Sequence, residues 1–422
     1  MNVDVLVAGA GPAGLAAAIE LRRLGAGRIL VADREPEAGG VPRHSEHTGY
    51  GLRDLRRVMT GPGYARHYAR AAARAGAEIR AQSAVTGWAG DRVAILTSPG
   101  GIETVAARAV LLATGCRERP RPARLVPGDR PPGVMTTGEL QQRVYLAGQR
   151  LPGRALVIGA EHVSFSAMVT LAHAGADVVA LVTEQPRQQS YAAFALGAAA
   201  VWHVPVWTST AVRVVRGRDR LTGVDVADLR TGRVRRVDCD TLVFTGDWIP
   251  DHEQARLAGT AIDPGTRGPA VDTSLETSVP LVFAAGNLVH AAETADVAAL
   301  GGRHAARHIA AALAGSGPPR RSGRRGSDAA MAAPVPVTVA APLAWISPNM
   351  IRGQAPPPPR GRFLLRSHVF RRRAWLEVRQ DDRLLARAQA RLIPGRPVHL
   401  DASWLLAVRP SGGPVVVAVT EA

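Results

Sequence analysis

The stretch VDVLVAGAGPAGLAAAIELRRLGAGRILVAD, residues 3–33, reads as strand, glycine turn, helix and strand. Residues 4–7 are a short apolar run, GAGPAG occupies residues 9–14, residues 15–24 carry a helical pattern, and residues 28–32 form a second apolar run. That order is a βαβ unit. The glycine spacing fits the turn of a dinucleotide-binding fold: Gly9 permits the tight turn, Gly11 lets a pyrophosphate approach the backbone, and Gly14 lets helix and strand pack closely. Pro12 and Ala13 open the helix, whose N-terminal N–H groups and dipole face the phosphates. Asp33 closes the second strand and is placed to accept from the adenosine ribose hydroxyls, with Arg34 beside it.

Outward from this unit the pattern begins again near residue 151. Residues 155–158 read as a strand, 165–174 as a helix and 177–182 as a strand. Late in the chain, residues 281–285 read as a buried strand and 295–313 as a long helix. GSGPPRRSGRRGSD, residues 315–328, has the composition of a linker. Beyond it, residues 375–378, 384–388 and 414–419 are short β-like runs, and APPPPRG, residues 355–361, is a rigid loop or a second spacer. The expected fold is therefore α/β, with two dinucleotide-binding, Rossmann-like domains, the second inserted in the first, and a small β-rich C-terminal module. The boundaries are residues 1–150 and 251–314 for the first domain, 151–250 for the second, 315–334 for the linker and 335–422 for the module. A polar linker predicts a tail separable from the first domain.

Composition narrows the chemistry. The 422 residues carry a formal charge of +17, and arginine supplies all the positive side chains, because lysine is absent. Without lysine there is no Schiff base and no phosphate-loop GK[ST]. The arginines are spread along the chain without interleaved aromatics, so no nucleic-acid partner is expected. Cys116 and Cys239 are the two cysteines, too far apart for C-x-x-C, a disulfide framework or an iron–sulfur ligand set. No His, Cys and Asp cluster has metal-ligand spacing. The N-terminus shows no leader pattern, and no run reaches about 18 apolar residues, so no membrane span is expected. The expected location is the cytoplasm, with the inner face of a membrane as the second choice.

Three further stretches favour FAD over NAD at the first turn. Gly39 and Gly40 follow Asp33 where a flavoprotein chain wraps its cofactor; LLATGC, residues 111–116, is an apolar strand that ends in Thr114 and Gly115; LVFAAGN, residues 281–287, is a late strand that ends in Gly286 and Asn287. With Val85, these complete the candidate cofactor contacts.

On these residues the chain resembles the FAD-dependent pyridine nucleotide-disulfide oxidoreductase superfamily. Within it the chain is similar to the FAD subunits of amine and amino-acid dehydrogenases, the group of hydrogen cyanide synthase, opine oxidase and sarcosine oxidase alpha chains. The resemblance covers about residues 1–313. Its most specific stretch is GGVPRHSEHTGYGLRDLRRVMTGPGYA, residues 39–65, followed by VPGDRPPGVMTTGELQQ, residues 126–142. It implies FAD as cofactor, a small amine, amino acid or hydroxy acid as substrate, and a quinone, oxygen or a partner subunit as electron acceptor. Two alternatives stay open: an NAD(P)H-dependent flavin reductase, and a non-catalytic FAD-binding scaffold or relay subunit.

The sequence also departs from that family. Ser45 stands where relatives often have a cysteine, the usual late GD pair is Gly286–Asn287, and the C-terminal iron–sulfur cysteines of some relatives are absent. The second turn, VIGAEHVSFSA at residues 157–167, keeps Gly159 but has Glu161 and Ser164 at the next two glycine places, so NAD(P) binding there is doubtful. His44 and His47 are the catalytic candidates, with three readings open for each: a base, a flavin contact or a structural histidine. His290 and Glu293 follow the late strand and are secondary candidates, and Arg117 and Arg119 are candidates for holding an anion.

Overall fold

The computed structural model describes residues 1–291, 293–315, 333–353 and 355–420. The expected linker, with its arginine run, lies almost wholly outside the described residues. The described chain forms two compact units: residues 1–43, 48–116 and 250–422 in one, residues 44–47 and 117–249 in the other.

In the first unit, β1 (Asn2–Ala8), α1 (Pro12–Arg23) and β2 (Ile29–Ala32) form the expected βαβ unit. β1 is the centre of a parallel sheet. It pairs with β2 on one side, from Val5 opposite Ile29 to Ala8 opposite Ala32, and with Gly101–Leu112 on the other. Glu78–Arg80 extends the sheet beyond β2, and Val282–Ala284 adds to Gly101–Leu112 in parallel. The strand Gly101–Leu112 changes role along its length: its first half joins an antiparallel meander with Ala84–Gly90 and Val93–Ser98, its second half the parallel sheet. Strands buried on both faces read as continuous apolar runs, and β2 is buried at every position. The long helix Ala295–Leu313 lies against α1, where small residues permit close contact: a side chain at Gly302 would bring its Cβ 2.0 Å from the Ala13 carbonyl oxygen.

The second unit repeats the plan. Its parallel sheet runs in the order Val134–Thr136, Thr241–Phe244, Gly153–Ile158, Ala176–Val182 and Val206–Trp207, with an antiparallel meander of Thr210–Arg216, Gly223–Asp228 and Val234–Val237. The expected boundary at residue 151 is corrected to 117. Val134–Thr136 pairs with Thr241–Phe244 from Val134 opposite Leu242, so residues before 151 are built into the second sheet.

The C-terminal residues form two small sheets, one of Val335–Val339, Met350–Ile351, Arg371–Gln380, Arg383–Leu392 and Val415–Thr420, the other of Leu343–Ser347, Arg362–Ser367 and Val398–Asp401. Alternate side chains from both sheets, among them Val337, Leu376, Val417, Phe363, Leu365 and Leu400, share one core, which makes the module a sandwich. The module belongs to the first unit, and its loops complete backbone pairing there: Asn349 and Met350 N–H groups donate to the Val271 carbonyl, and the Asn349 side chain accepts from the Val271 N–H at 2.8 Å. Buried backbone groups need partners, and these partners come from the module. No helix among the described residues is long and apolar enough to cross a membrane.

Candidate cofactor site and the second turn

The turn after β1 is shaped by what its glycines would strike. Gly9 has φ +111° and a Cβ there would lie 2.4 Å from the Ala113 carbonyl oxygen; at Gly14 it would lie 1.9 Å from the Gly9 carbonyl oxygen. Both positions are closed to any other residue. Gly11 differs: a Cβ there meets nothing within 4 Å. That open ground lies at the start of α1, where no side chain caps the helix, so its first-turn N–H groups stay available to an anion. Pro12 holds the first turn. Gly40, at φ +64°, brings its own backbone against Gly11, with a Cβ only 2.9 Å from the Gly11 Cα, and Gly39 N–H donates to the Ala10 carbonyl at 2.8 Å. The cradle therefore has a floor, a helix end and a second backbone wall, which fits the pyrophosphate of FAD.

The remaining candidates surround it. Asp33 accepts from the Ala10 N–H at 2.5 Å and from the Glu35 N–H at 2.9 Å, so its carboxylate braces the glycine turn. Ser83 N–H donates to the Asp33 carbonyl at 2.8 Å, which draws in the strand that carries Val85. Arg34 is exposed and pairs with Asp251 at 3.2 Å. Thr114 donates its hydroxyl to the Asp251 carbonyl at 2.8 Å, and the Gly115 carbonyl accepts from the Asp251 N–H at 2.9 Å. Asp251 thus joins three predicted residues, yet no local motif marks it. Gly286, at φ +72°, faces Ala13, where a Cβ would come within 2.8 Å of the Ala13 Cβ. Asn287 makes a two-way clamp: its amide nitrogen donates to the Glu293 carbonyl at 3.1 Å and its amide oxygen accepts from the Glu293 N–H at 3.0 Å. The asparagine closes the loop that follows the strand.

The histidine candidates separate. His44 ends a short 3₁₀ turn and is buried; the segment 44–47 groups with the second unit, and the Ser45 hydroxyl lies 3.0 Å from His47 Nε2. His290 stacks on Trp345 of the module at 5.2 Å, and burial, with the Arg366 charge adding, pushes its pKa down to about 3. Glu293 forms an ion pair with Arg366 at 2.5 Å, with both side chains under a tenth exposed. Arg119 pairs with Asp247 at 2.8 Å and donates to the Ala123 carbonyl, a structural role. Glu118, between the two arginine candidates, is buried; burial raises its pKa although the Gly138 N–H donates to it at 2.7 Å.

The second turn is closed by its own residue. Glu161 stands before the helix His162–Ala174, and its side chain folds back: one oxygen accepts from the Ala160 N–H at 3.0 Å, the other from the Thr245 hydroxyl at 2.5 Å. Ser164 is fully buried and bonds the same Thr245 hydroxyl at 2.7 Å. A carboxylate already takes a donor of this turn. Cys239 is buried in the second unit, and burial pushes its thiol up to about 12, so it stays protonated. Among the described residues no group of three His, Cys, Asp or Glu side chains is placed to hold a metal.

Residues 3–302 match the family described as pyridine nucleotide-disulphide oxidoreductase. The chain belongs to this family. FAD is the cofactor of these oxidoreductases. Among curated relatives, an opine oxidase subunit of Agrobacterium tumefaciens (strain Ach5) is 36% identical over 43% of the chain and 37% of the relative. The alpha chain of sarcosine oxidase from Corynebacterium sp. (strain P-1) is 29% identical over 84% of the chain and 36% of the relative. The chain thus spans little more than a third of these relatives' length. Thioredoxin reductase of Treponema pallidum (strain Nichols) is 25% identical over 68% of the chain and 89% of the relative. Among solved structures, T. acidophilum thioredoxin reductase superposes with a TM-score of 0.62 at 22% identity, covering 74% of this chain and 98% of that one; the likeness is one of fold.

Proposed function

We propose that this chain uses FAD held at the α1 turn to oxidise a small amine, amino acid or hydroxy acid, and passes the electrons to a quinone, oxygen or a partner subunit. When bound, FAD supplies the two-electron acceptor for that oxidation. The chain's own residues bind and orient: Gly11 and Gly40 leave room for the pyrophosphate, the first turn of α1 offers N–H donors, and the Asn287 clamp fixes the loop after the last strand. The observation that carries the reading is Glu161. Its carboxylate occupies the turn that would receive the pyrophosphate of a nicotinamide dinucleotide, so reduction by NAD(P)H is disfavoured and a direct organic donor is favoured. Chemistry through a dithiol is also disfavoured, since Cys239 is buried and protonated and Cys116 is the one other cysteine. The relatives named as opine oxidase and sarcosine oxidase subunits support the amine and amino-acid class and a partner subunit.

The test is anaerobic mixing of the yellow protein with NADH, NADPH and a panel of amines, amino acids and hydroxy acids. Bleaching of the flavin by a member of the panel, with little by millimolar NADH or NADPH, is the expected result. Rapid reduction by micromolar NADH overturns the proposal in favour of an NAD(P)H-dependent flavin reductase. No reduction by any donor favours a scaffold or relay role.

A further inference from the structure

The module and the first domain enclose a narrow pocket beside the late strand. Asn287, His290 and Gly301 line one side; Pro348, Arg360 and Arg362 line the other. Charges near it are unevenly matched. Glu293 reaches the pocket but is tied to Arg366, and buried Asp296 is tied to Arg53 at 3.4 Å. For Arg360 and Arg362, no ion pair or side-chain hydrogen bond is found among the described residues. Arg360 sits at the end of the proline run with φ +62°, a backbone that L side chains rarely adopt. Burial first, and the neighbouring Arg362 charge second, lower its pKa, so two cations share this space. His290 is neutral at physiological pH, and its buried Nδ1 has no hydrogen-bond partner among the described residues.

We infer that this pocket is a carboxylate site, in which Arg360 and Arg362 face the acid group of a small organic acid and His290 Nδ1 offers one hydrogen bond. The assignment to a substrate rests on the amine, amino-acid or hydroxy-acid reading above. Guanidinium groups suit the role because they remain charged and present paired donors to a planar acid. The pocket shares Gly286 and Asn287 with the candidate cofactor contacts, so the acid would sit next to the bound dinucleotide.

Equilibrium dialysis of the intact flavoprotein with labelled acetate tests it, with acetamide as the neutral probe of similar shape. Acetate should bind at one site per chain, with acetamide at least tenfold weaker. Arg360→Gln and Arg362→Gln should each weaken acetate binding about tenfold and the double variant about a hundredfold, while flavin content stays unchanged. Absence of acetate binding at millimolar concentration overturns the inference, and so does equal binding by the double variant. Flavin lost in step with either arginine also overturns it, because the pocket then serves the cofactor. If no organic acid reduces the flavin while acetate binding still depends on both arginines, the carboxylate site stands and the oxidase reading alone fails.

Discussion

At the residue scale, three glycines that look alike in sequence do different work. Gly9 and Gly14 are required by contact with backbone, whereas Gly11 is required by open space. Gly14→Val should therefore cost several kcal/mol of stability by overpacking, read as a large drop in Tm or as insoluble protein. Gly11→Glu should fold, with a Tm near that of the unmodified apoprotein, but contain no flavin; full yellow colour in that variant would remove the turn from the cofactor site. Glu161 belongs to the same scale. Glu161→Gly frees the Ala160 N–H and removes a like charge, so NADH should bind at least tenfold more tightly, measured by dialysis. An unchanged affinity would show that the carboxylate is not the obstacle. Ser164 is a poor companion for this change, because its hydroxyl is fully buried against Thr245 and its loss would disturb the turn. The glycine turn was legible because glycine has strong positional meaning. Asp251 was not, since it meets Arg34 across 217 residues of sequence.

At the element scale, the contact of α1 with the helix Ala295–Leu313 has an electrostatic lock. Glu20 on α1 bonds Arg23 at 2.9 Å and Arg307 of the other helix at 3.0 Å. The Arg23 guanidinium first, with Arg307 adding and burial opposing, lowers the Glu20 pKa from 4.5 to about 2. A carboxylate depressed in the folded state stabilises it above its unfolded pKa, and that contribution fades as pH falls from 4.5 towards 2. Glu20→Gln should cost about 1–2 kcal/mol near neutral pH, with the gap narrowing below pH 4.5 and closing only near pH 2 in denaturant titrations; a gap of unchanged size at pH 2 would assign the loss to packing. Both helices were legible from their periodicity. Their pairing was not, because the small residues that bring them together carry no charge pattern or spacing that points to a partner.

At the scale of the whole molecule, the C-terminal module is the largest departure from the sequence reading. Its alternating strands were legible, but its docking rests on single long-range pairs, such as Arg366 with Glu293 across 73 residues. Arg366→Met leaves Glu293 buried without its partner and should destabilise the protein by about 3–5 kcal/mol. Adding Glu293→Gln should recover part of this loss, the mark of a coupled pair. A protease site engineered between residues 315 and 333 should give two fragments that elute together in gel filtration, with the flavin retained. Separate elution of a folded module would restore the independent tail.

The discontinuous first domain also fixes an order of events during synthesis. Its strand Gly101–Leu112 receives its last parallel neighbour, Val282–Ala284, and the helix Ala295–Leu313 only after the stretch 117–249 has emerged. At about 5–20 residues per second, the N-terminal strands wait roughly 10–30 s with an apolar edge uncovered. The inserted unit, continuous apart from residues 44–47, has most of its own chain in hand and condenses first. The strands made before the inserted stretch are therefore among the last to reach their final neighbours, and that interval is when a chaperone has the most to protect.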